Sequence, residues 1–68
     1  MPGIYKITEV VGTSPNSFAD AVRAAVAEAA KTVRNMAWFE VTDERGRIED
    51  NKVAEFQVTV KIGFKLDR

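Results

Sequence analysis

The chain contains no cysteine and no histidine. The first absence excludes disulfide staples. The two together exclude the common zinc sites built from thiolate and imidazole. They also remove most nucleophile–base pairs, because Cys and His supply the majority of them. Missing cysteines fit a reducing compartment. No stretch approaches the ~20 apolar residues that cross a bilayer, and no positive segment followed by an apolar run marks a secretory signal. The expectation is a soluble cytoplasmic protein with no membrane partner. Surplus charge is missing too: ten acidic and ten basic residues cancel. That balance argues against a non-specific nucleic-acid binder, which needs a basic surplus.

Length is the next limit. With 68 residues, the chain is one domain, residues 1–68. Such a domain buries a modest fraction of its surface, and a lone subunit is marginal. With disulfides and structural zinc excluded, oligomerisation is the remaining common staple.

The apolar pattern predicts four elements. Ile4–Val11 is rich in β-formers and reads as a strand. Gly12-Thr13-Ser14-Pro15-Asn16 has the chemistry of a loop. Ser17 then caps a helix that runs to about Asn35, with Asp20 as the return partner of a capping box. Phe18, Val22, Val26, Ala29 and Val33 recur at helical spacing and form one apolar stripe. The many alanines between them give high helix propensity and a thin helix that can approach a sheet closely. Lys31 and Arg34 suit the negative end of the dipole. A long strand runs from Ala37 to about Asp50, with Gly46 as a bulge or bend. Asp50-Asn51 tolerates positive φ and predicts a tight hairpin. In Lys52–Leu66 the even positions from Ala54 to Leu66 are apolar and the odd ones mostly polar. That alternation marks a sheet with one face on a core. The fold class is α+β, in the order β-α-β-β. A helix covers the apolar face of a three-stranded antiparallel sheet in spatial order 1-3-2.

Trp38 breaks the pattern. Phe39 and Val41 point to one face of their strand, so Trp38 joins Glu40 and Thr42 on the polar one. An exposed large aromatic marks a ligand or a partner, and the alternative is a tryptophan that only glues subunits together. With Asp50-Asn51 closing the hairpin, Glu49 faces Lys52, Trp38 faces Gly63, and Gln57 faces Glu44. Gly63 leaves room beside the indole. Trp38 and Gln57 share the polar face, with Val53 and Thr59, but lie roughly 20 Å apart. A small planar ligand that touched both would have to sit between subunits.

Other candidates are weaker. Asp43, Glu44, Glu49 and Asp50 cluster at the hairpin tip and read as a solvated tip before an acid–base pair or a magnesium site. The segment before the helix lacks the lysine and glycine spacing of a phosphate-binding loop, so capping is its expected role.

Taken in order, Val11-Gly12-Thr13-Ser14-Pro15, Lys31-Thr32-Val33-Arg34-Asn35, Trp38-Phe39-Glu40-Val41, Arg45-Gly46 with Ile48-Glu49, and Phe56–Phe64 resemble the dodecins. The resemblance covers the chain from Tyr5 to Leu66. It implies a sheet wrapped partly around its helix and a hollow homododecamer. It implies paired flavins at two-fold axes, stacked between tryptophans at the Trp38 position and hydrogen-bonded by glutamine at the Gln57 position. A basic residue at the Arg45 position lies near the flavin in bacterial members. One at the Lys65 position can meet the phosphate of FMN. The implied ligands are riboflavin, FMN or FAD. Some bacterial members also carry coenzyme A on the outer surface. With no catalytic base in view, storage, buffering or photoprotection of flavin is expected, and not enzymatic turnover.

Overall fold

The computed structural model describes residues 3–66, so the two ends of the expected domain lie outside the described residues. Four elements follow one another: β1 (Tyr5–Ser14), α1 (Phe18–Ala29), β2 (Met36–Glu49) and β3 (Lys52–Lys65). Both outer strands pair antiparallel with β3, giving the expected order β1-β3-β2. The β2–β3 hairpin closes through Asp50 and Asn51 at φ 53° and 63°. Two consecutive left-handed residues make the turn twist with its strands.

The first strand is longer than its sequence suggests. Gly12, Thr13 and Ser14 do not loop out but stay in the ladder, opposite Val58, Gln57 and Phe56. Gly12 is there for close approach and not for a turn. A Cβ at Gly12 would overlap the Ala21 carbonyl oxygen and lie 2.8 Å from the Ala25 Cβ. The turn into the helix is shorter as a result, with Ser14 Oγ accepting from the Asn16 amide at 2.9 Å. Ser17 caps α1, its Oγ accepting from the Asp20 amide at 3.0 Å. The Asp20 carboxylate itself turns to Asn16 Nδ2 and to Arg23.

The helix is shorter than expected and ends at Ala29, not near Asn35. The Ala29 carbonyl accepts from both Thr32 and Val33, which closes the chain into a tight turn. Thr32 and Val33 are β-branched and propagate a helix poorly. Asn35 then takes φ 62° and its carbonyl accepts from the Lys65 amide at 3.0 Å. Lys31 and Arg34 therefore lie beyond the helix, and no basic residue occupies its last turn.

The core is a seam of small residues against branched ones. Ala21, Ala25 and Ala29 meet Val58, Val60 and Ile62, with Phe18, Val22 and Val26 half-buried at the sides. The alanine edge, not the valine stripe, is the buried one. Helix α1 packs mainly on β1 and β3. Strand β2 is left over. Phe39 and Val41, expected in the core, are 55% and 37% exposed. The subunit is accordingly elongated, 53 × 20 × 13 Å.

Since the helix rests on the missing side chain of Gly12, Gly12→Ala should destabilise the fold by about 1–3 kcal/mol, the usual cost of overpacking. Denaturant unfolding at fixed protein concentration reads this. An unchanged midpoint would contradict the close approach.

Candidate functional site

The face of the sheet turned away from α1 carries the candidate residues. Trp38 pairs with Gly63 and Glu40 with Lys61, as the hairpin register predicts. The prediction fails nearer the turn. Gln57 pairs with Arg45, not with Glu44. Register shifts explain both results. An extra residue on β3, Ala54, moves the pairing by one, and an extra residue on β2, Thr42, moves it back before Trp38 is reached. The expected bulge at Gly46 is not there. Gly46 stays in register opposite Phe56, where a Cβ would press on the Glu55 carbonyl. Val53 still pairs with Ile48 as the hairpin register predicts, but the shift at Ala54 reverses its parity relative to Gln57, and Val53 and Ile48 line a groove with Phe18 and Phe56. Val53 therefore leaves the polar face on which its parity put it.

These bulges matter for the site. A bulge lets two successive residues oppose one partner, so parity changes across it. Between Ala54 and Thr42, Glu44 turns to the helix side, opposite buried Val58, and Arg45 turns to the face of Gln57 and Trp38. Thr42 is unpaired in the ladder but donates its hydroxyl to the Thr59 carbonyl at 3.3 Å.

The four sequence candidates form two groups. Trp38 and Lys65 belong to one end of the face, with Lys65 two residues beyond Gly63 on β3. Arg45 and Gln57 are cross-strand partners at the other end. Six residues of β3 separate Gly63 from Gln57, roughly 20 Å of strand. One subunit does not bring all four residues around one small ligand.

At the Trp38 end the indole lies over the backbone of Gly63, and a Cβ added there would overlap its six-membered ring. Its far side is open, with Trp38 45% exposed. The indole reaches across β3 to β1, where the Tyr5 ring stands 5.2 Å away, tilted at 51°. Tyr5 was not among the sequence candidates, which treated it only as a β-former. Strand parity carried the signal, because Tyr5 pairs with Lys65 and so shares the face of Gly63.

At the other end Gln57 is half-buried and offers both a donor and an acceptor. The Arg45 Nε lies 3.6 Å from Asp43 Oδ2, with both side chains more than half exposed. Such a pair is weak, so the guanidinium remains open to a second anion. Arg47 is held more closely, 3.0 Å from Glu49 and 3.9 Å from Glu55. Of the hairpin carboxylates, Asp43 and Glu49 thus pair with neighbouring arginines. Among the described residues no acidic cluster is arranged to hold a metal ion, and no helix is long and apolar enough to cross a membrane. The arrangement is a stacking platform at one end and a polar, cationic pair at the other.

The dodecin family model matches residues 4–67. A dodecin from Thermus thermophilus is 45% identical over 67 residues, covering 98% of this chain and 97% of that protein. The solved dodecin of Streptomyces coelicolor superposes with a TM-score of 0.93 at 53% identity, covering 97% of this chain and 94% of that one. The dodecin of Streptomyces davaonensis superposes with a TM-score of 0.96 at 41% identity, with both chains covered in full.

Proposed function

This chain belongs to the dodecin family, and we propose that it binds flavins without turning them over, in sites between subunits of a closed, cytoplasmic homododecamer. Trp38 stacks on the isoalloxazine. Gln57 of a neighbouring subunit hydrogen-bonds the pyrimidine-like edge, and Arg45 stands beside that glutamine. Lys65, at the Trp38 end, meets the phosphate of FMN. Riboflavin, FMN and FAD share the ring that this site grips. The role is storage, buffering or photoprotection of flavin.

One observation carries the reading. The only tryptophan lies open on a glycine floor, and Gln57 is on the same face but too distant to reach the same small ligand within one subunit. A large flat π system fits the indole, and an amide fits a ring edge with both donors and acceptors. The uncovered strand β2 supports assembly, since Phe39, Ile48 and Val53 are exposed on it and its hairpin.

Titration of apo protein with riboflavin should quench the flavin emission, because the stacked indole donates an electron to the excited ring. Trp38→Ala should remove most of the affinity and the quenching. Trp38→Phe should retain part of the binding with less quenching. Gln57→Ala should weaken binding by about 1–3 kcal/mol, the cost of leaving buried polar ligand atoms unpaired. If Trp38→Ala binds and quenches as before, the site is elsewhere. If wild type binds no flavin and Trp38→Ala fails to assemble, Trp38 is interface glue.

Lys65→Ala should weaken FMN more than riboflavin, because the two ligands differ by the phosphate alone. Higher salt should narrow the gap, since exposed charges are screened. Equal losses for both ligands would assign Lys65 to another role.

A further inference from the structure

Two glycines on the outer face are empty where aromatic rings lie. Gly63 is the floor under the Trp38 indole. Gly3 stands beside Tyr5, where a Cβ would come to 3.1 Å from the tyrosine Cε1 and 3.7 Å from Cζ. The same Cβ would come to 3.3 Å from the Lys65 Cε, so Gly3 stands near both the phenol and the Lys65 side chain. The backbone under these rings is pinned. The Leu66 amide donates to the Ile4 carbonyl at 2.9 Å, and the Lys65 amide donates to the Asn35 carbonyl at 3.0 Å. The helix contributes nothing here, because it lies on the other side of the sheet.

The geometry has a consequence for Trp38. Among the described residues, the exposed indole has its flat contact on the bare glycine below it. It could slide along the strand or swing off the floor. The Tyr5 ring closes one side, at a centroid distance and tilt within the attractive range for aromatic pairs. We infer that Tyr5 is a positioning residue, which holds the Trp38 indole flat on Gly63 as a preformed platform for a planar ligand. This rests on the flavin reading for the ligand's identity, but the ordering of the indole does not. A preformed platform binds more tightly than a mobile one, because less freedom is lost on binding. The ring does this work and the hydroxyl does not.

The experiment uses the assembled full chain. The near-UV circular dichroism and fluorescence anisotropy of the single tryptophan report its order without any ligand. Riboflavin titration reports affinity. Tyr5→Ala should lower the indole anisotropy, flatten its dichroic band and weaken riboflavin about threefold to tenfold, the factor such a ring pair is worth. Tyr5→Phe should restore all three to near the wild-type values. Should Tyr5→Ala fail to assemble, Tyr5→Leu fills the space without a flat ring and should show the same losses in smaller degree. An indole equally ordered in Tyr5→Ala or Tyr5→Leu would overturn the inference, as would Tyr5→Phe behaving like Tyr5→Ala. If wild type binds no riboflavin while its indole loses order in Tyr5→Ala, positioning stands and the flavin reading fails.

Discussion

Helix α1 rests on β1 and β3 through a row of alanines, and the contact is made possible by the missing side chain of Gly12. A helix held that close and that narrow covers two strands of three. Strand β2 is left with exposed apolar residues on one face and an exposed tryptophan on the other. A chain of this size has no disulfide with which to compensate. Its uncovered strand is the reason to expect partners, and the proposed site between subunits would bring together residues that one subunit keeps apart.

The two ends of the outer face do different physical work. At one end the sheet supplies flatness: glycine under indole and tyrosine beside it. At the other it supplies direction, through an amide and a guanidinium brought side by side by register shifts at Ala54 and Thr42. Flatness recognises any large aromatic ring. Direction selects among rings by their edge. In the proposed site, the separation of these features makes specificity a property of the assembly.

Most of the fold is legible in the residues. The even–odd alternation in β3 gives the core face, Asp50-Asn51 gives the hairpin, and together they place Trp38 opposite Gly63. What is not legible depends on long-range contacts. Gly12 looks like a turn residue, and only the helix packed over it shows why it stays in the strand. Val33 looks like a continuation of the apolar stripe, but the chain turns and the Asn35 carbonyl closes onto the Lys65 amide. Phe39 and Val41 have the pattern of core residues, but the helix leaves them exposed. The partnering of Gln57 with Arg45 could not be read from a uniform register, because bulges leave almost no sequence signature at Thr42 or Ala54. Tyr5 was available from parity alone and was hidden by its ordinary β-propensity.

The central claim is that one flavin is gripped by Trp38 of one subunit and Gln57 of another. Co-expression of Trp38→Ala chains with Gln57→Ala chains tests it most directly. Every chain in the mixed assembly then lacks one of the two residues, but a site between subunits can still draw Trp38 from one and Gln57 from the other. The account predicts that purified mixed assemblies bind and quench riboflavin at a fraction of their sites with an affinity above that of either parent. Mixed assemblies that bind no better than the two single variants would contradict it.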